Sequence, residues 1–553
     1  MKIKFCSLGP GPKTRSKDNF ASVAINPSFF FFKKYYELHG LNPKVDWLYP
    51  ELVKLEPAQD IIQRIINEKP NLLGLGVYVW NNDLQFLIAQ SVKKHLPNTI
   101  IVLGGPDLSV HKELEQDNDF FNQHPYVDYV VYGDGEKAFQ QIIDYHSGYM
   151  PDKQTLINTI ENFNGHKIVY PYEILDDKLY LSQSPFVSNE SLITQIRDDL
   201  VQQGISRREQ KWSIEFARGC MYSCSFCDWS QNLTKKVKRR SHDWKEDIDL
   251  FWRLDVPVRE TDANFGQWPD DIKAYDYACS LYDPKRNFSF VVGNTPKLKK
   301  HITEYIIYKN CMVYHNTGHR PAISFQDTND DVLSAVDRPS VSWAEIVKMI
   351  NNLKAKLSPE VFGSIEAEMI LGLPEQTIDK IIHSCVTLFD LGITKYRYDN
   401  WYMLSNSPGA DPTYQKMWGL QIHNVYQLQT PKASILDLES TYQNLALNQR
   451  QDNTQLYDMF HKVSFVTGHK KMSLIELLTA KIMLRKWNEL NQIKNTVEKY
   501  DSTQIKKIFR RLLIEAMIES KKQYKIHQQY IDKYNIIVWG HYDINQKILY
   551  EDF

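Results

Sequence analysis

The chain has 553 residues, a formal net charge of −1, 42% hydrophobic and 24% charged residues. A single core rarely grows this large, so roughly two to four domains are expected from an ordinary globular composition. Near-neutral charge supplies no global field for nucleic acid or an anionic membrane, leaving room only for a local basic patch. Residues 1–8 (MKIKFCSL) are too short and mixed for a signal peptide, and the apolar cluster at 29–32 ends in two lysines. That cluster is far below the ~20 residues a membrane span needs, so a cytoplasmic protein is expected.

Over 1–150 strands and helices alternate. A strand at 2–8 ends in the turn 9–12 (GPGP), and a helix pattern follows through 30–39. Next come a short strand at 45–48, an amphipathic helix at 57–68 (PAQDIIQRIINE) and a buried-strand run at 71–79 (NLLGLGVYV). A helix at 84–95, a strand at 99–103, a strand at 126–132 and a helix from Glu136 to about Tyr145 complete the series. This rhythm predicts an α/β fold with a doubly wound parallel sheet. It lapses over 151–210, a connector. From 211 it returns, with strands near 213–216, 256–261, 288–292, 322–325, 366–371 and 395–401, which predicts a partial (β/α)6 barrel ending near 415. The Lys-rich patterns at 474–490 and 505–524 make 416–553 a mainly helical C-terminal region.

Of the seven cysteines, Cys220, Cys224 and Cys227 crowd into one loop, while Cys6, Cys279, Cys311 and Cys385 are scattered. A disulfide scaffold would spread them in pairs, so the crowding points to metal and the scattered four to buried small hydrophobes. The segment 218–229 (RGCMYSCSFCDW) has a C-x3-C-x2-C spacing directly after a strand. Three thiolates suit three irons of a cubane cluster, leaving one iron open. A structural zinc site, the alternative, wants four ligands and a second cysteine pair, which this sequence lacks.

This motif, with Phe226 directly before the third cysteine, resembles the radical S-adenosylmethionine superfamily. More specifically, residues 40–415 resemble its cobalamin-binding enzymes, through LGVYVWN at 75–81, LGGP at 103–106, VYGDGE at 131–136, TDANFG at 261–266, SFQ at 324–326, ILGLP at 370–374 and LSNSP at 404–408. Each string is weak alone, and their order and strand contexts make the set strong. The resemblance implies a [4Fe–4S] cluster on Cys220, Cys224 and Cys227, S-adenosylmethionine on its open iron, and a cobalamin between the N-terminal sheet and the barrel. In that family reductive cleavage of S-adenosylmethionine yields a radical that takes hydrogen from substrate, and the backbone at the residue matching Phe226 meets the adenine. An external electron donor such as a flavodoxin or ferredoxin is implied as well.

Residues just past barrel strands point into an active site. Asp262 and Asn264 can bond the cofactor's ammonium or a substrate, or else form an Asx turn ending a strand. The resemblance places Ser324 and Gln326 near the cofactor's ribose or carboxylate. Glu366 and Glu368 either face the cofactor or are solvated edge charges, with Glu368 taken as the candidate. Trp401, Tyr402 and Leu404 either wall the adenine or pack in a core, with Tyr402 the candidate. The basic run of Lys235, Lys236, Lys238, Arg239 and Arg240 reads as solvated surface, or as the source of an arginine for the cofactor's carboxylate. Nucleic acid is the weaker reading, because the run lacks interleaved aromatics.

Doubly wound sheets bind ligands at the carboxyl ends of their strands, and glycines there allow close backbone approach. By resemblance Gly104, Gly105, Gly133 and Gly135 line the cobalamin tail, and Tyr78, Trp80 and Asn81 face the corrin. The D-x-H-x-x-G signature of His-ligated cobalamin proteins is absent, as it commonly is in this family. An empty or nucleotide-binding domain is the alternative. The expected function is methylation of an unactivated carbon in a peptide or small metabolite. A cobalamin-dependent rearrangement or ring contraction, and a non-enzymatic iron–sulfur carrier or sensor, are the competing readings.

Overall fold

The computed structural model describes residues 1–9, 23–78, 80–108, 119–149, 160–163, 166–169, 175–227, 229, 237–317, 321–376, 395–401, 404, 407–425 and 442–448. It also describes scattered positions over 380–393 and residues 482, 512, 515, 516 and 519. The chain divides into two compact units, one formed by 1–223, 227–319 and 405–407, the other by 224–226, 320–404 and 408–553.

The first unit opens with β1 (Lys2–Gly9) and the two-residue β2 (Val23–Ala24). Strands β3 (Asp46–Trp47), β4 (Glu51–Val53), β5 (Leu72–Gly76), β6 (Ile100–Gly104) and β7 (Tyr129–Val131) follow. Helices Ser28–His39, Ala58–Glu68, Asn82–His95 and Glu136–His146 lie between or after them, close to the predicted positions. With β8 (Ile160–Phe163) and β9 (His166–Val169) they form an eight-stranded sheet. Its order is β3-β1-β5-β6-β7-β9-β8, with β4 also on β1, and every pairing is parallel except β8 with β9. Parallel strands covered on both faces read as continuous apolar runs, which is why Leu72, Leu73 and Leu75 are all buried. Helix Ala58–Glu68 buries Ile61, Ile62 and Ile65 at helical spacing. The segment expected as a connector thus supplies two sheet strands. They are four residues each (IENF and HKIV), too short for a periodic signal.

The same unit holds a second sheet. β10 (Gln210–Ile214) leads into β11 (Ala217–Arg218), which pairs antiparallel with β12 (Lys238–Arg239). β13 (Pro257–Glu260) and β14 (Ser289–Val292) complete the parallel order β14-β13-β10-β2. One core joins the two sheets: Phe30 meets Trp212 and Phe186, and Phe186 meets Phe251 at 5.3 Å between ring centroids.

In the second unit β15 (Ala322–Gln326), β16 (Glu366–Leu371) and β17 (Lys395–Asn400) form a parallel sheet in that order. Helix Trp343–Lys356 between β15 and β16 starts at a capping box of Ser342 and Glu345. β18 (Leu420–Val425) and β19 (Tyr442–Asn448) pair antiparallel, in a region expected to be mainly helical. Of the helical patterns at 474–490 and 505–524 only isolated positions are described, and these are helical. Among the described residues no helix is long and apolar enough to cross a membrane.

Candidate functional site

The cysteine segment begins where β11 ends. Gly219 takes φ of 98°, a left-handed turn that strains any residue with a Cβ. It delivers Cys220 to a position only 2% exposed, where the thiol sulfur accepts the Asn264 amide Nδ2 at 3.1 Å. Cys227, in the same unit, is half-buried. Cys224 and Phe226 belong to the second unit. There Ser225 donates its backbone N to Val336 O at 2.9 Å, and Ser225 O accepts Gly409 N at 2.8 Å. Phe226 packs against a cluster of Val332, Val336, Leu373 and Trp401, with the Arg338 guanidinium 6.0 Å from its ring centroid. The chain directly after Cys224 is therefore held by the paired Ser225 backbone and by the packing of the Phe226 ring.

Asp262 and Asn264 follow β13. Asp262 is buried, and its Oδ1 accepts the Phe216 backbone N at 2.8 Å, tying the end of β13 to the approach to the cysteines. Burial holds its carboxyl well above the usual range, against hydrogen bonds from the Ala217 and Phe216 amides, while Glu215 and Asp271 push it further up. Asn264 is engaged at both ends, its Oδ1 accepting Lys297 Nζ at 2.9 Å. Both residues thus have partners within the chain, which neither the ammonium reading nor the Asx-turn reading anticipated. Arg239 and Arg240 also have internal partners. Arg239 pairs with Asp271 and lies over the Trp268 ring, and the buried Arg240 meets Tyr180 OH at 3.2 Å and Glu215 at 3.4 Å. Lys235, Lys236 and Asp228 lie outside the described residues.

In the second unit Ser324 donates its hydroxyl to Glu368 Oε2 at 2.5 Å. Gln326 takes a left-handed φ of 69° where the β15–β16 register shifts, so its backbone turns sharply at the strand end. Glu366 is buried, and Trp401 lies in the cluster beside Phe226. Tyr402 lies outside the described residues. Sequence reasoning missed Gln376, which builds the turn after β16. Its Oε1 accepts Gly372 N at 2.9 Å, and its Nε2 donates to Asp327 Oδ2 at 2.7 Å and Ile370 O at 2.9 Å.

At the carboxyl ends of the large sheet, Tyr78 and Trp80 stack at 4.7 Å with planes 14° apart, and Trp80 is 51% exposed. Asn81 is buried beneath them, its Nδ2 donating to Leu8 O and Gly76 O and its Oδ1 accepting Tyr78 N. Gly105 has φ of 119°, and a Cβ there would lie 2.3 Å from Val77 O. The fold itself therefore requires glycine here, beside the Val77 backbone. Gly135 is likewise pressed by the Phe32 ring, 3.0 Å from a built Cβ, whereas a Cβ on Gly104 would meet nothing closer than 3.6 Å. Gly133 makes a left-handed turn. Between Gly133 and Glu136 the acidic groups reach back to the cysteine strand: Arg218 Nη1 binds Glu136 at 2.8 Å and Asp134 at 3.3 Å, and its Nε binds Glu215 at 3.1 Å. No sequence signal pairs Arg218 with residues more than eighty positions away.

The fold of the described residues is shared with solved cobalamin-dependent radical S-adenosylmethionine enzymes. The structure is similar to the radical methyltransferase TsrM of Kitasatospora setae, with a TM-score of 0.54 and 12% identity over 89% of this chain and 99% of that one. It is equally similar to the cobalamin-dependent radical enzyme OxsB, with a TM-score of 0.54 and 12% identity over 98% of this chain and 84% of that one. No family model matches the chain. In sequence it is 27% identical over 372 residues to the cobalamin-dependent radical SAM methyltransferase TokK of Streptomyces tokunonensis, covering 66% of this chain and 51% of that protein. It is 29% identical over 368 residues to the 2-(S-pantetheinyl)-carbapenam-3-carboxylate methyltransferase of Streptantibioticus cattleyicolor, covering 64% and 50%. The chain spans about half the length of the curated relatives it matches.

Proposed function

We propose that this chain is a cobalamin-dependent radical S-adenosylmethionine enzyme that methylates an unactivated carbon of a peptide or small metabolite. The observation that carries the reading is the buried Cys220 thiol, held by the Asn264 amide within a C-x3-C-x2-C loop. An N–H donor on sulfur suits a thiolate bound to an iron–sulfur cluster, where such bonds tune the potential. When bound, the cluster, S-adenosylmethionine and cobalamin would supply the electron, the radical and the methyl carrier respectively.

The residues divide the work as follows. Cys220, Cys224 and Cys227 would hold the cluster, and Asp262 and Asn264 would keep its loop in register from the end of β13. Phe226, the Ser324–Glu368 pair, Gln326 and Tyr402 would hold S-adenosylmethionine, the first of these supported by the packing that holds its ring. The exposed Tyr78–Trp80 stack fits a large flat ligand such as a corrin, and Gly104 has the room beside it for close approach. Asn81, Gly105, Gly133 and Gly135 would shape that cradle without touching the ligand through a side chain. In this reading 1–150 is a doubly wound cobalamin domain, 211–415 a partial (β/α)6 barrel and 416–553 a C-terminal domain. A flavodoxin or ferredoxin would deliver electrons to a cytoplasmic enzyme.

Anaerobic reconstitution tests the reading, with an expectation of about four irons per chain. Release of 5′-deoxyadenosine separates an enzyme from a carrier, and release of S-adenosylhomocysteine separates methylation from rearrangement. Alanine at any one of the three cysteines should abolish reductive cleavage, and a variant that still cleaves overturns the assignment.

A further inference from the structure

Lys297 lies in the loop after β14. Its ammonium donates to Asn264 Oδ1 at 2.9 Å and sits 4.9 Å from the centroid of the Tyr222 ring. Asn264 in turn donates Nδ2 to Cys220 Sγ at 3.1 Å, and Tyr222 is two residues beyond Cys220. The loop is anchored on both sides of the lysine: Asn294 Nδ2 donates to Asp262 O at 3.0 Å, and Thr303 Oγ1 donates to Pro296 O at 3.0 Å. A cation on the oxygen of a carboxamide polarises it and strengthens the N–H donor at its other end. Lysine, amide and thiol therefore form a single directed chain that ends on sulfur, and the ring contact holds the ammonium over the cysteine loop.

We infer that Lys297 is a positioning residue that sets the reduction potential of the iron–sulfur cluster, acting through Asn264 on the Cys220 sulfur. The inference rests on the cluster reading above. Reduction would add one negative charge to the cluster, and the Lys297 ammonium held at Asn264 and Tyr222 would stabilise that state beside the buried Cys220. The lysine therefore makes electron entry easier.

The test uses the full-length chain with a reconstituted cluster. The reduced fraction is read by electron paramagnetic resonance and visible absorption at a fixed ambient potential, beside iron content. Lys297→Met should lower the reduced-to-oxidised ratio about tenfold, equivalent to about 59 mV for one electron, at unchanged iron content. Lys297→Gln should shift it the same way, and Lys297→Arg should restore most of the wild-type ratio. An unchanged ratio in both neutral variants overturns the inference, as does loss of iron from both while wild type keeps it, because Lys297 would then only support the loop. A wild-type chain that takes up no iron overturns the cluster reading itself.

Discussion

The turn at 133–136 and the edge at 78–81 close two strands of the same sheet, yet their functional groups go to different places. At the first, Asp134 and Glu136 are spent on Arg218, with Glu215 completing the ion cluster. At the second, Asn81 consumes the local backbone groups and leaves the Tyr78–Trp80 stack facing outward. A polar motif at a strand end is thus as readily internal wiring as ligand contact. What marks a binding edge is apolar surface left uncovered after the polar groups have been satisfied.

The largest test of this contrast is Arg218→Met, which leaves Glu136, Asp134 and Glu215 without their shared cation. Removing the cation from the buried Glu136 carboxylate should cost about 3 kcal/mol, measured by denaturant unfolding. A loss no larger than that of an ordinary surface substitution would show that the turn is not wired as described. The same cluster predicts a pH dependence. Despite burial, Arg218 and Arg240 hold the Glu215 carboxyl below its usual value. A depressed folded-state value contributes stability that is full above the unfolded-state value and lost as pH falls through the folded one. The stability gap between wild type and Glu215→Gln should therefore narrow on acidification below the usual glutamate range, and a gap that widens there contradicts the assignment.

Next in size is Gly105→Ala. Its φ of 119° and the 2.3 Å approach to Val77 O predict a loss of about 2 kcal/mol, with no cofactor present. A variant as stable as wild type would return Gly105 to the ligand-approach reading. Trp80→Ala should change stability least, by about 1 kcal/mol or less, since half the side chain is exposed. It should nonetheless weaken uptake of hydroxocobalamin, followed by visible absorption. Unchanged uptake, with Arg218→Met the variant that loses it, would reverse the contrast between the two strand ends.

Much of the large sheet was legible because its strands are apolar runs and its helices amphipathic: 71–79 contains β5, and 57–68 contains helix Ala58–Glu68. The cysteine loop was legible because its ligand types and spacing are chemically narrow. Short elements were not. β2, β8 and β9 have two to four residues and draw their stability from the sheets they join, so they carry no pattern of their own. Asp262 and Asn264 follow β13 and Gln326 ends β15, as expected, but the partners of Asp262, Asn264 and Ser324 were not foreseen. Asn264 meets Cys220 and Lys297, and Ser324 meets Glu368, across 33 to 44 positions of chain.

By itself, then, the sequence determined the alternation of strands and helices, the strand that leads into the cysteines, and the thiol chemistry of the loop. Each of these depends on residues close together in the chain, through periodicity, turn residues and ligand type. Only the tertiary structure decided which strand-end groups remain available. Hydrogen bonds and ion pairs between distant segments, such as Arg218 with Glu136 or Asp262 with the Phe216 amide, form when packing brings them together. A buried polar group must find such a partner or carry its desolvation cost, and which partner it finds is a property of the fold.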